Sequence, residues 1–172
     1  MSIPPRLYAV LNLSEFRLLC VMKHLFATGS GFVRGDAGAL AEAMGLKEST
    51  VRNQIKSLTG HEFLHECPTG WMVVGWGKIY KLSGLPGNRR VSGVVEADLL
   101  DADMFKEKVL LGGADIQRRM FKRKQSKIAQ SGAVNYDAFE CSAKMFGSIF
   151  DKTKSFGSLA RKWLKDRGVL FM

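Results

Sequence analysis

Between Asp36 and Thr59 the chain reads DAGALAEAMGLKESTVRNQIKSLT, and this stretch limits the possible folds more than any other. Leu40, Ala41, Met44 and Leu46 recur at helical spacing, and after a break Val51, Ile55 and Leu58 do so again. Each set marks the apolar face of a short helix. Gly45 stands between them, where a residue free to take positive φ can turn the chain tightly. The small Ala41 lets the second helix approach the first. Lys47, Ser49, Thr50, Arg52, Asn53 and Lys56 fall off the apolar face, and all six are polar or basic. From these residues alone the expectation is two packed helices, the second with one polar face turned outward.

Charge limits what such a face can meet. The 172 residues carry a formal net charge of +10, and residues 86–172 hold +7 of it. A field of that sign favours polyanions: DNA, RNA or an anionic membrane surface. A hydrophobic content of 46% supports a packed core and argues against disorder. No apolar run approaches the roughly 18 residues that a spanning helix needs. Met1–Pro5 lacks the basic start and apolar centre of a signal peptide. Cys20, Cys67 and Cys141 are few, odd in number and far apart, which predicts reduced thiols and a cytoplasmic protein.

Leu40-Ala41, Met44-Gly45-Leu46 and Val51…Ile55…Leu58 resemble the helix-turn-helix of the winged-helix family. Gln54 stands where older helix-turn-helix patterns carry an apolar residue. The resemblance implies that the helix Lys47–Leu58 enters the major groove of double-stranded DNA, with Arg52 and Asn53 on base edges. Lys47, Ser49, Thr50 and Lys56 then hold phosphates. A homodimer is compatible with this reading. The plainer reading is a helical hairpin in some other fold, for which the basic charge has no use.

The flanking segments fit the same scheme. Pro4 and Pro5 are expected to exclude an early helix, and Leu7, Tyr8, Val10 and Leu11 to form a short strand or pack on the first helix. Asn12 or Ser14 offers an N-cap for a helix from Glu15 to about Ala27, with Leu18, Val21, Met22 and Leu25 as its buried face. Gly29-Ser30-Gly31 ends that helix, and Phe32-Val33-Arg34 reads as the short strand that winged-helix proteins pair with their wing. Phe63–Cys67 and Trp71–Val74, joined at Pro68-Thr69-Gly70, read as the wing itself. Its tip has no basic residue, so its expected task is to brace the recognition helix. Trp71 and Trp76 read as packing residues.

Ser83–Asn88 is rich in turn formers and marks a domain boundary. Arg89–Val95 reads as an extended lead-in. The acidic run from Glu96 to Asp103 reads as the start of a helix that continues through Leu111 and is interrupted at Gly112-Gly113. Arg118, Arg119, Lys122, Arg123, Lys124 and Lys127 then fall within ten residues with no acid among them. Such a run is expected to settle on phosphates, or else to be a solvated helix face. After a loop at 131–135, Tyr136–Met172 resembles a second helix-turn-helix unit, with Ala143, Phe146 and Gly147 in the places of Ala41, Met44 and Gly45. Phe156, Ala160, Trp163 and Leu164 form its apolar face, and Arg161, Lys162 and Lys165 its basic positions. This copy departs from the pattern: the interval from Gly147 to Phe156 is longer than that from Gly45 to Val51, and Gly157 takes a place better suited to a helix former. The plainer reading is a helical bundle that supports or dimerises the first domain.

Catalytic chemistry finds little support. His61-Glu62-Phe63-Leu64-His65 matches H-E-x-x-H, but that zinc site needs both imidazoles one turn apart on a helix, and here the pattern follows Gly60. Asp98, Asp101 and Asp103 read as a helix start and not as a two-metal site. The expectation is a non-enzymatic protein without metal, cofactor or small-molecule substrate, and with no membrane partner. Its fold is mainly α with a small β-hairpin wing. An N-terminal winged helix (1–83) is joined by a linker or short strand (84–95) to a basic helical domain (96–172), with a second winged-helix-like unit as one form of the latter. Tandem units resemble plasmid and phage replication initiators, so transcriptional regulation and replication initiation are both expected functions. The competing class is a phage or mobile-element assembly protein that oligomerises through its helix-turn-helix.

Overall fold

The computed structural model describes residues 1–85, 95–128 and 142–168, with the backbone alone at Ser2, Val95 and 117–128. These residues are mostly helical, with a small three-stranded antiparallel sheet.

The N-terminal strand β1 (Ser2–Ile3) leads into a 3-10 turn at Pro5–Ala9. The prolines thus begin a helical turn that they were expected to exclude. Pro5 takes the first helical position, where its fixed φ fits and its missing N–H is not needed. Helix α1 (Leu13–Val21) is capped by Asn12, whose side chain accepts from the Glu15 N–H at 2.9 Å while Glu15 accepts from the Asn12 N–H at 3.0 Å. This reciprocal pair satisfies two of the donors that a helix start leaves open. A single π turn, Met22–Phe26, follows. It rotates Leu25 off the buried face to 39% exposure, correcting the expectation of a regular helix to Ala27.

Strand β2 (Phe32–Arg34) is followed by α2 (Ala37–Met44), capped by Asp36. Gly45 adopts φ 64°, ψ 35°, the left-handed conformation expected of it, and α3 (Glu48–Gly60) starts three residues later. Glu62, at φ 59°, turns the chain out of α3 into β3 (Leu64–Cys67), which returns as β4 (Gly70–Val73). The sheet order is β2-β4-β3, with Phe32 opposite Met72, and Leu64 opposite Val73. The short β2 therefore pairs with the hairpin as the sequence implies. Helix α4 (Trp76–Leu82) closes this part. Trp71 and Trp76 are half-buried against the core, as packing residues.

In the second half β5 (Val95–Glu96) pairs antiparallel with β1. Helix α5 (Ala102–Ile128) begins at Asp101, whose carboxylate accepts from the N–H groups of Asp103 and Met104 at 2.9 Å. The acidic run is thus a strand end and a cap, with the helix starting later than expected. Gly112-Gly113 does not interrupt α5. Gly113 is buried against the ring of Phe150, which occupies the space a Cβ would take, so the glycine marks a close contact and not a break.

Helices α6 (Ala143–Ile149) and α7 (Lys154–Asp166) form a pair, capped by Ser142 and Thr153. Gly147 is not the turn residue expected. It lies inside α6, and the left-handed residue of the connection is Asp151, at φ 51°. Gly157 is buried where α7 crosses the Ala143 carbonyl, an approach that no larger residue permits. Close packing therefore explains Gly157, which departs from the pattern, and Gly147 as well, since the Thr153 carbonyl fills the space its Cβ would take. The expected loop at 131–135 and most of the linker at 84–95 lie outside the described residues, as does Cys141.

One apolar core joins the two halves. Phe16 of α1 meets Phe105 of α5 edge-on at 5.2 Å, and Tyr8 meets Phe150 and Phe156 at 5.3 and 5.8 Å. Arg17 is buried in α1, and its Nη2 donates to the Met44 carbonyl at 2.8 Å, filling an acceptor that the end of α2 leaves open. Burial lowers the Arg17 pKa, and the nearby Asp101 and Asp98 carboxylates oppose that shift. The α2–α3 turn is thus held from beneath by a charged group that the second half helps to stabilise.

Candidate nucleic-acid interface

Helix α3 buries Val51, Gln54, Ile55 and Leu58. Residues three and four apart share a helix face, so Ser49, Asn53, Lys56 and Gly60 make up the stripe directly opposite. All four are exposed, as are Lys47, Thr50 and Arg52 beside them. The six positions singled out in the sequence therefore share one open surface. Lys47 is at the non-helical cap position, immediately before the first turn.

Gln54 explains why the helix can be held so firmly with a polar residue at an apolar place. It is 8% exposed, and its Nε2 donates to the Ser14 hydroxyl at 2.6 Å. That bond ties α3 to α1, and Val51 and Leu58 on the same face of α3 are buried in the apolar core.

Arg52 has a local partner. Its Nε and Nη2 both donate to Glu48 Oε1, at 2.8 and 2.5 Å. Glu48 lies one helical turn earlier, where a carboxylate also suits the positive end of the helix dipole. The pair lies beside an open groove of about 490 Å³ between the hairpin and the start of α2, lined by Arg34, Asp36, Arg52, Glu66, Thr69 and Trp71. Glu48 and Arg34 are the site residues that the sequence reading missed. The first could have been found from the Glu–Arg spacing of four on a helix. Arg34 carried no such signal, because only the strand pairing brings it near α3.

The remaining expected site residues divide into two groups. Arg118, Arg119, Lys122, Arg123, Lys124 and Lys127 follow one another along the helical backbone of α5, but their side chains lie outside the described residues. On α7, Lys162 and Lys165 are exposed and Arg161 is half-buried.

His61 caps the end of α3 and His65 lies in β3, so the two imidazoles of the H-E-x-x-H pattern do not share a helix face. Among the described residues no group of three or more His, Cys, Asp or Glu side chains could hold a metal ion. Cys20 is buried, which pushes its thiol pKa well up, and Cys67 is half-buried in the hairpin. Among the same residues no helix is long and apolar enough to cross a membrane.

Comparison with protein families, curated proteins and solved structures gives no match.

Proposed function

We propose that this chain is a sequence-specific double-stranded DNA-binding protein of winged-helix type, acting as a transcriptional regulator or a replication initiator. The observation that carries this reading is the stripe Ser49–Asn53–Lys56, open to solvent on a helix whose opposite face is locked to α1. A major groove about 12 Å wide admits one α-helix, and sequence is read there by hydrogen bonds to base edges, such as those of Arg to guanine and Asn to adenine. Arg52 and Asn53 have that chemistry. Lys47, Ser49, Thr50 and Lys56 flank them as phosphate contacts.

Two further observations support the reading. Strand β2 pairs with the hairpin β3–β4 next to the α2–α3 pair, the arrangement that the resemblance implies. The hairpin tip, Pro68-Thr69, carries no positive charge, so the hairpin serves to brace α3, and the cations lining the groove beside it are Arg34 of β2 and Arg52 of α3. Arg118–Lys127 supplies sequence-independent affinity in this scheme, through release of counterions from the duplex.

Affinity selection from a pool of random duplexes tests the proposal. A recovered motif bound much more tightly than random duplex supports it. A palindrome points to a dimeric regulator, and direct repeats to an initiator. Failure to enrich any motif refutes specific binding.

A further inference from the structure

Helix α7 has an outer face unlike that of α3. Leu159 is the sixth residue of α7, as Asn53 is of α3, and it is 68% exposed, more than any other large hydrophobic residue described. It forms one wall of an open groove of about 360 Å³. Tyr8, Leu110, Phe156, Ala160 and Trp163 supply the rest of the apolar lining, from the N-terminal turn, α5 and α7.

Three cations surround this groove. The Lys106 ammonium lies 4.3 Å from the centre of the Trp163 ring, and Lys152 lies 5.6 Å from that of Tyr8. Lys162 lines the groove directly. None of these lysines belongs to an ion pair among the described residues, and Asp166 is the one carboxylate in the lining. Arg167 is different, because Glu107 and Asp103 hold it at 3.1 and 3.8 Å. The groove thus offers an apolar floor with unneutralised ammonium groups above it.

We propose that this groove docks an acidic amphipathic segment of a partner protein, with apolar side chains on Leu159 and Trp163 and carboxylates on Lys106, Lys152 and Lys162. Charge complementarity selects this occupant. A second copy of this chain would bring another net +10 and a second lysine-rimmed groove against the first. A nucleic-acid backbone would meet the lysines but leave Leu159 and its groove uncovered. An apolar groove filled by alternating anchors of a helix is a recurrent way of binding peptides. The α6–α7 pair is then a recruitment surface, beyond any role of α3 on DNA.

The test uses the full chain. A displayed library of random peptides is selected on the wild-type protein and depleted on the Leu159→Ser variant. Leu159 is exposed, so this variant retains the fold, which circular dichroism checks. Expected are peptides with apolar residues at helical spacing and interleaved Asp or Glu. Measured singly, they should bind Leu159→Ser at least about tenfold more weakly, as expected for loss of one well-packed anchor. Lys162→Glu should weaken them as well. Three results would overturn the proposal. The first is no peptide that distinguishes wild type from Leu159→Ser. The second is selected peptides that are not acidic. The third is a Leu159→Ser variant that loses self-association, or affinity for random DNA, in place of peptide binding.

Discussion

Two nitrogens of Arg52 converge on one oxygen of Glu48, with Nε at 2.8 Å and Nη2 at 2.5 Å. Both side chains are largely in solvent, so the pair contributes at most about 0.5 kcal/mol to folding. Its consequence is for binding. Arg52 is held by a neighbour of opposite charge, and Glu48 itself repels phosphate. Glu48→Ala is therefore expected to raise affinity for random duplex severalfold and to steepen its salt dependence by roughly 0.9 in log–log slope, the effect of one more phosphate contact. The ratio of selected-site to random affinity should fall. Titrations at several salt concentrations measure both quantities.

Neutralising Arg118, Arg119, Lys122 and Arg123 together should flatten the salt dependence by up to about 3.6 in the same slope, at roughly 0.9 per phosphate contact. Affinity should fall alike on selected and random DNA. An unchanged slope would put this part of α5 away from the duplex.

The buried Gln54 side chain donates to the exposed Ser14 hydroxyl, a part-buried bond between α3 and α1. Gln54→Ala loses that bond and leaves the hydroxyl to water, so it should destabilise the fold by about 0.5–1.5 kcal/mol in denaturant unfolding, more than an exposed change such as Thr50→Ala.

Gly157 faces the Ala143 carbonyl with no space for a methyl group. Gly157→Ala should cost at least about 1–3 kcal/mol through overpacking, although alanine favours a helix elsewhere. A stabilised variant in thermal unfolding would contradict the packing of α6 on α7.

Burial raises the Cys20 thiol pKa well above its ordinary 9.0. The unfolded chain then loses this proton before the folded chain does. The stability it contributes is complete below pH 9.0 and declines as pH rises further, by about 1.4 kcal/mol per unit. Tyr8, raised by burial from 10.0, acts in the same direction, while Lys23, lowered from 10.5 by burial, opposes both. Cys20→Ala should be less stable at neutral pH but lose less stability between pH 9 and 11 than wild type. Parallel pH dependence of the two proteins would refute the assignment.

Legibility in the sequence followed the range of the interactions. The α2–α3 stretch was readable because its apolar spacing, its Gly45 turn and its exposed polar stripe are all local. The strand Phe32–Arg34 and its partner hairpin were readable for the same reason, to within one residue. Gly113 was misread as a break and Gly147 as a turn because their causes lie elsewhere in the chain: the ring of Phe150, just past α6, fills the space beside Gly113, and the Thr153 carbonyl approaches Gly147, as that of Ala143 approaches Gly157. The acidic run before α5 gave a helix start too early, because Val95–Glu96 is drawn into pairing with a strand at the opposite end of the sequence. At the site, the six α3 positions were found from periodicity. Glu48 has the charge that a DNA-facing stripe repels, so its part at the site becomes visible through its bonds to Arg52.

The most direct test of the central claim is to measure Asn53→Ala and Arg52→Ala on the selected duplex and on random duplex under the same salt. If α3 reads bases, each substitution costs about 1–3 kcal/mol on the selected site and little on random DNA. Equal losses on both duplexes, or no loss on either, would mean that this helix does not read sequence.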